Sequence, residues 1–319
     1  MKKKIAVTVI ATVLACFLIV QIFPNKYEAV VKIIGGSAST SNGAVAANAG
    51  SASAAKSADK PAASASSSEQ SSGEKKSDNK KSDSKKSDGK KSDGKAPQTA
   101  EEIVTKYGEV VKKFKTEKPG YTKKEYQALP EESRQFSSNL VNKLLGFADN
   151  YMTKEDSDKA VVTRDKGYED IINEIPIYGM EDGCLLKDFS TVKNATCTDM
   201  GDGTYKLSFS LNDESNPEPL VAGSKDAKSY HSAVLMPGNR DDIMTEVHKV
   251  EKMTGAKCNN FDLTYRDCTF ECVYNPTNDQ VVSITHHANI DIEASIHFIK
   301  DITGSARLTN DMLVYDIVW

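Results

Sequence analysis

Few residues of this 319-residue chain combine the types and spacing that chemistry needs, and those few lie near the C-terminus. Cys268 and Cys272 are four residues apart, and His286 and His287 follow in the next segment. A thiolate beside an imidazole is a nucleophile, and the same two groups bind zinc. We take His286, Cys268 and Cys272 as the candidate site residues, because Cys268 is expected near the register position opposite His286.

The spacing weakens both kinds of site. Strand alternation sends His286 and His287 to opposite faces, and it leaves Cys268 and Cys272 about 13 Å apart on one face. That separation is too long for one zinc ion or one disulfide. Residues 99–319 also lack a Gly-rich phosphate loop, HExxH and GxSxG. We therefore expect no cofactor and no metal site, and we favour a non-enzymatic protein over a hydrolase.

Residues 99–319 contain five cysteines, which are Cys184, Cys197, Cys258, Cys268 and Cys272. An odd number outside the cell leaves at least one thiol unpaired within a monomer. One interpretation is that they are small buried hydrophobic residues. The other is a disulfide, either between Cys184 and Cys197 or involving Cys258.

The N-terminus has the pattern of a membrane anchor. Three lysines precede nineteen residues without a charge, Ile5 to Phe23. As a helix these nineteen residues span about 28 Å, close to the hydrocarbon thickness of a bilayer. A signal peptide has a shorter apolar region that ends in small residues. Residues 1–34 are therefore predicted to hold an uncleaved single-pass helix in the cell membrane. The lysines place its start in the cytoplasm and the rest of the chain outside the cell.

Residues 35–98 have the composition of a disordered spacer. They are rich in Ser, Ala, Lys and Asp, and residues 75–94 repeat KKSDx four times. Such a segment buries too little apolar surface to offset its ordering entropy. As a flexible coil it would average about 45 Å from end to end. We expect it to hold the following residues off the membrane surface.

The charge of the chain is divided unevenly. Residues 1–98 hold 16 lysines against 8 acidic residues, whereas residues 99–319 hold 25 Lys and Arg against 37 Asp and Glu. An acidic body lacks the clustered positive charge that nucleic-acid binding requires, so we expect no nucleic-acid partner.

Helical patterns open the segment 99–319. Thr99 and Glu102 form a capping box before apolar residues at helical spacing, and Thr122 with Glu125 repeats the box. A later helix is predicted to end at Gly255. Apolar residues line one face of two predicted helices, namely Phe136, Leu140, Leu144, Phe147 and Tyr151, and then Ile243, Val247, Val250 and Met253.

After about Gly183 the apolar period changes from 3.6 to 2, which is typical of strands. Tyr205, Leu207, Phe209 and Leu211 alternate with polar residues, and three long strands close the chain. In the middle strand Val282, Ile284, His286, Ala288, Ile290, Ile292, Ala294, Ile296 and Phe298 share one face. Helices in front and a meander behind predict one α+β domain over 99–319, with helices packed on a long-stranded antiparallel sheet.

One strand changes phase within itself. Phe261, Leu263 and Tyr265 are apolar at odd positions, whereas Cys268 and Phe270 continue the apolar pattern at even positions. A regular strand cannot bury both sets on one face. The sequence therefore predicts a β-bulge at or near Arg266 and Asp267, which would bend the sheet.

Three stretches carry a resemblance to a group of proteins: LNDESNPEPL (211–220), LTYRDC (263–268) and YNPTNDQVVSI (274–284). With the anchor and spacer, the chain resembles uncharacterised membrane-anchored extracytoplasmic proteins of Gram-positive anaerobes. The resemblance implies this location and layout, and it implies no activity.

The hypothesis that follows is a membrane-anchored extracytoplasmic protein that binds a cell-wall or surface protein partner. The alternative is a carrier or sensor of a lipid or other apolar small molecule, held in a cavity under a curved sheet. A lined cavity between sheet and helices would favour the alternative.

Overall fold

The computed structural model describes residues 96–149, 152–297 and 300–319. Within these ranges no helix is long and apolar enough to cross a membrane. The predicted anchor at residues 5–23 lies outside the described residues, and so does the predicted spacer apart from residues 96–98.

The described chain contains three α-helices: α1 (Ala100–Glu117), α2 (Asn139–Asp149) and α3 (Arg240–Thr254). Thr99 and Glu102 form the predicted capping box, since the Thr99 hydroxyl accepts from the Glu102 N–H and the Glu102 carboxylate accepts from the Thr99 N–H. The predicted end of α3 is also confirmed, because Gly255 caps it at a φ of 73°. Only glycine adopts this left-handed conformation without strain.

The strands are β1 (Gly120–Ala128), β2 (Val161–Arg164), β3 (Val192–Asp199), β4 (Tyr205–Leu211), β5 (Glu214–Ser215), β6 (Lys257–Asn275), β7 (Gln280–His297) and β8 (Asp301–Val318). They form one eight-stranded antiparallel sheet in the order β2-β1-β8-β7-β6-β4-β3, with β5 paired to β6. The long strands β6, β7 and β8 form the predicted meander. The α+β class, a large antiparallel sheet with a few helices, is therefore confirmed.

The inner face of the sheet, which carries the buried side chains, packs against α1. The rings of Tyr107 of α1 and Phe209 meet edge to face with their centroids 5.1 Å apart, and Phe209 stacks on Phe270 at the same centroid distance. Further along the helix, Phe114 packs against Tyr121 and the partly buried Trp319. The other rings and the aliphatic residues around them are shielded from water, so this part of the inner face is a solid apolar core.

The predicted bulge is present in β6. Arg266 pairs with Asn289 and Thr269 pairs with His287, so β6 uses one residue more than β7 between these two pairs. Asp267 has a φ of 46°, which is the left-handed region. The extra residue resets the alternation, and Tyr265 and Cys268 are both buried. The phase change in the sequence therefore gave the position of the bulge correctly.

Two of the expected patterns are wrong in the structure. Residues 120–128, where Thr122 and Glu125 suggest a helical start, form strand β1. Pairing with β8 and β2 on its two sides overrides the local capping pattern. Val282 is also exposed rather than buried, because a second irregularity between β6 and β7 turns Val281 inward in its place.

Candidate ligand-binding pocket

A pocket with a volume of about 600 Å³ lies on the inner face of the sheet. Its floor comes from β1, β8 and β7, with Tyr265 of β6 at one side. Its walls come from Thr153 and from segments 159–162, 173–178, 219–220 and 235–242. None of its described lining residues belongs to α1. The helix α1 therefore fills one part of the inner face. Other segments, most of them loops, cover another part and leave the pocket open.

The strand register sets the chemistry of the floor. Residues 123, 125 and 127 of β1 share a face with the buried residues of β8, because Lys123 pairs with Val314 and Glu125 pairs with Met312. The next pairs, from β8 to β7, join Met312 to His286 and Asn310 to Ala288. With about 4.8 Å between strands, the floor changes from charged to apolar over about 10 Å.

Lys123 and Glu125 form an ion pair at the polar side of the floor. The Lys123 ammonium lies 3.1 Å from the Glu125 carboxylate, and it also donates to the backbone carbonyl of Glu174 at 3.2 Å. The side chains are only 12% and 24% exposed. Because the pair is largely removed from bulk water, a ligand charge placed here would be screened less than at the surface.

Gln127 continues this polar row and has an unused hydrogen-bonding group. Its Nε2 donates to Oδ1 of Asn310 at 3.1 Å, while its Oε1 is buried and has no partner among the described residues. Reversing both amides would leave the Gln127 nitrogen unpaired instead. In either orientation one end of this amide is buried without a partner among the described residues, which costs stability.

The charged side chains that line the pocket balance each other. Lys123 and Lys159 are the cations, and Glu125 and Asp242 are the anions. His286, also in the lining, adds no charge near neutral pH because burial lowers its pKa to about 3, with Lys115 acting in the same direction. His287 also lines the pocket, and its hydrogen bond with the Asp311 carboxylate raises its pKa, so a charge on His287 is offset by Asp311. The described lining therefore offers both signs of charge.

Glu174 fixes the wall segment that carries Pro176 and Tyr178. Its carboxylate accepts hydrogen bonds from Tyr121, Arg164 and Tyr168. Burial raises the pKa of Glu174, but the bonds from Arg164 and the two tyrosines outweigh burial and hold the pKa below its usual value. The ionised carboxylate, held by these hydrogen bonds, is a rigid support for the pocket wall.

Lys115 of α1 holds the other end of the same segment. Its ammonium is completely buried and donates to the carbonyl oxygens of Ile177, Met180 and Asp182 at 2.9, 3.2 and 3.0 Å. Burial lowers the pKa of Lys115 to about 7, and the Asp182 carboxylate opposes that shift. The helix in the solid half of the inner face thus positions Tyr178 in the pocket wall.

His286 is both a core histidine and a pocket residue. Its Nε2 shares a hydrogen bond with the hydroxyl of Tyr107, and its ring packs edge-on against Phe270 at 5.1 Å. Phe270, not Cys268, is its partner across the strands. Cys268 lies in the bulge, two residues before Phe270, so it is near the position opposite His286 but not at that position.

The candidate thiols lie in the core and not in the pocket lining. Cys268 and Cys272 are buried, and each donates weakly to a backbone carbonyl, of Arg266 and Val273 respectively. Burial raises the pKa of Cys268 to about 12 and raises that of Cys272 as well. Protonated thiols are poor nucleophiles, so these cysteines lack the microenvironment of a reactive site.

The five described cysteines are free thiols, so the disulfide considered between Cys184 and Cys197 is not formed in the structure. Cys184 packs against Gly108 of α1, with its Cβ 3.1 Å from the position that a Cβ on Gly108 would occupy. Cys197 lies on β3, across from Leu207. The two cysteines therefore serve different contacts in the core.

Across the described part of the chain, no group of three or more His, Cys, Asp or Glu side chains is placed to hold a metal ion. No family model matches the sequence, and no curated protein or solved structure matches it either. The site is therefore interpreted from its geometry alone.

Sequence reasoning found one floor residue, His286, and missed the polar row of β1. Lys123, Glu125 and Gln127 alternate with Lys124 and Tyr126, so no apolar period marks the strand. The signal in the sequence is the recurrence of polar residues at every second position, which is the period of a strand. The capping-box pattern in the same stretch predicted a helix instead.

Proposed function

We propose that residues 99–319 form an extracytoplasmic ligand-binding domain whose pocket takes a small amphipathic molecule without converting it. The observation that carries this proposal is the pocket itself. Its volume of about 600 Å³ lies within the range of roughly 300–1,000 Å³ that is common for small-molecule sites. One side of its floor is charged and the other side is apolar.

The polar row argues for an amphipathic ligand over a purely apolar one. An apolar ligand would displace water from Lys123, Glu125 and Gln127 and return no hydrogen bonds. Desolvating an ion pair without giving it new partners costs roughly several kcal/mol of binding free energy. A lipid whose polar head reaches β1 remains compatible with the pocket, whereas a bare hydrocarbon does not.

The reactive groups support binding rather than catalysis. His286 stays neutral because burial lowers its pKa to about 3, so it is a weak proton acceptor at neutral pH. Burial raises the pKa of the thiols of Cys268 and Cys272, and neither lines the pocket. The pocket thus holds polar contacts without an activated nucleophile.

A blocking substitution tests the binding function. Ala288 lies on the pocket floor, and Asn289, the next residue of β7, points to the opposite face. Ala288→Trp should fill the pocket and weaken ligand binding at least tenfold, whereas Asn289→Trp should leave binding unchanged. Titration calorimetry on the solubilised full chain would use fatty acids of 8–12 carbons, free amino acids, dipeptides and monosaccharides as probes. Binding by none of them, or equal binding to both variants, contradicts the proposal.

The proposed location places this domain outside the cell, on an anchor at residues 5–23 and a spacer at 35–98. The uncharged run, the lysines before it and the apolar-poor repeat support this arrangement. Trypsin added to intact cells should cut the lysine-rich repeat and release a soluble fragment that contains residues 99–319. A fragment that appears only after the cells are broken would contradict the location.

A further inference from the structure

We infer that the pocket binds a zwitterion of the α-amino-acid class, with an apolar side chain. This inference rests on the proposed function of the pocket, and it adds the chemical class of the ligand. It follows from three features of the lining: the spacing of one ion pair, the balance of charge and the apolar side of the floor.

The ion pair on β1 has the spacing of an α-amino acid. The Lys123 ammonium and the Glu125 carboxylate are 3.1 Å apart, and their residues are two apart on one face of β1. In an α-amino acid the ammonium nitrogen and a carboxylate oxygen are also about 3 Å apart, from standard backbone dimensions. A zwitterion can therefore lie head to tail over the pair, with its carboxylate on Lys123 and its ammonium on Glu125.

Ligands with one charge fit this pair less well. A carboxylate amphiphile would draw Lys123 away and leave Glu125 half-buried without a cation. An amine would draw Glu125 away and leave Lys123 without an anion. Breaking such a pair is costly, because the remaining charge is desolvated and uncompensated. Two further lining residues, Lys159 and Asp242, carry opposite charges, and His287 is paired with Asp311. The described lining therefore holds no large excess of either charge.

The apolar side of the floor supplies the remaining contact. Ala288, Ile290 and Met312 line the pocket beyond the polar row, and Pro176 and Leu235 face it from the walls. These residues offer neither donors nor acceptors in their side chains. The ligand side chain that lies here gains by burial of apolar surface, which favours leucine-like groups over charged ones.

Four probes on the solubilised full chain test the class: leucine, leucinamide, N-acetylleucine and leucylleucine. Leucinamide lacks the carboxylate and N-acetylleucine lacks the ammonium. We expect leucine to bind at least tenfold tighter than either blocked compound in titration calorimetry. Leucine should also bind tighter than leucylleucine, whose charged ends are about 3.5 Å further apart and cannot reach both Lys123 and Glu125. Tighter binding of leucylleucine would overturn the argument from the spacing of the ion pair.

Charge-removing variants assign each end of the ligand. Lys123→Met should abolish the difference between leucine and leucinamide, and Glu125→Gln should abolish the difference between leucine and N-acetylleucine. Lys124→Met is the matched control, because Lys124 points to the opposite face of β1 and pairs with Glu155. The comparison of the four probes on the unchanged chain needs no variant to fold.

The outcomes separate the two proposals. Octanoate or a monosaccharide that binds tighter than both zwitterions overturns the zwitterion class and leaves the binding function intact. Equal binding of leucine, leucinamide and N-acetylleucine also overturns it. Binding by no probe in either panel overturns the inference and the proposed function together.

Discussion

The two parts of the inner sheet face differ in what covers them. Under α1, Tyr107, Phe209 and Phe270 pack ring against ring, and the adjoining aliphatic side chains are shielded from water. Under the loops, the same strands β7 and β8 carry the floor of an open pocket. A helix presents a continuous row of side chains that fills the space above a sheet, whereas loops touch the sheet at a few points and leave volume between them.

Whether a helix or loops cover the sheet also determines which residue types the strands carry on the inner face. Below the helix an unpaired polar group would be dehydrated, so the inner-face residues there are apolar or hydrogen-bonded, as His286 is to Tyr107. Below the loops, β1 carries Lys123, Glu125 and Gln127 on the inner face. A polar inner face is therefore a marker of the pocket, because in a filled core it would be destabilising.

The largest expected effect comes from removing the same side chain in the two regions of one strand. Ile284 and Ile290 both lie on the inner face of β7 and are almost completely buried. Only Ile290 lines the pocket. Ile284→Ala should cost about 4 kcal/mol of unfolding free energy and Ile290→Ala about 2 kcal/mol, since core truncations range over roughly 2–5 kcal/mol with the contacts that are lost.

Urea unfolding followed by circular dichroism measures both losses, and the smaller truncations Ile284→Val and Ile290→Val serve as controls of about 1 kcal/mol. Ile290→Ala should also weaken leucine binding, whereas Ile284→Ala should not. Equal losses of stability at the two positions would mean that the loops pack the sheet as tightly as α1 does, and the contrast between the two regions would then be false.

The contrast between the two parts of the inner face also explains which elements could be predicted from the sequence. The capping box at Thr99, the alternation in β4, the alternation in β7 from Ile284 to Ile296 and the bulge at Asp267 all depend on local pattern, and the structure confirms them. The inner-face side chains of these strands are mostly apolar, including those of β7 that line the pocket. Their apolar period is therefore strong.

The pocket was not predictable in the same way. Its polar side depends on the pairing of β1 with β8, and Glu125 pairs with Met312, which is distant in sequence. Its walls are mainly loops, and residues distant in sequence, such as Lys115 and Glu174, hold them in position. Neither long-range register nor loop position leaves a periodic signal. His286 was identified because it interrupts an apolar strand, and Cys268 lies two residues from the residue that faces it, which is Phe270.

A smaller effect tests the link between the two regions, which is Lys115. It belongs to α1, but its ammonium holds the loop of Ile177 and Met180 beside the pocket. Lys115→Met keeps a long apolar stem and removes the donors. We expect lower stability and weaker leucine binding, because three carbonyl groups lose their partner and the wall that carries Tyr178 loosens. Lys113→Met, at a partly exposed position of the same helix, should change neither.

The pH dependence of that difference has a definite sign. Burial lowers the pKa of Lys115 to about 7 from its usual value of 10.5. Between these values the unfolded chain binds the proton and the folded chain does not, so the contribution of Lys115 to stability rises with pH. It is complete above the unfolded pKa and is lost as the pH falls through about 7. The limiting slope is about 1.4 kcal/mol per pH unit.

Urea unfolding of the unchanged chain and of Lys115→Met, from pH 6 to pH 10, measures this slope as a difference in which other titrating groups largely cancel. The groups around Lys115 in the folded chain do not titrate in this pH range. His286 is already neutral because of its lowered pKa, and the pKa of Asp182 is below its usual value. Burial raises the pKa of Tyr107. A flat difference would show that the three carbonyls keep Lys115 charged in the folded state. The loop would then be held by a permanent cation, and the pocket wall would keep its position across this range of pH.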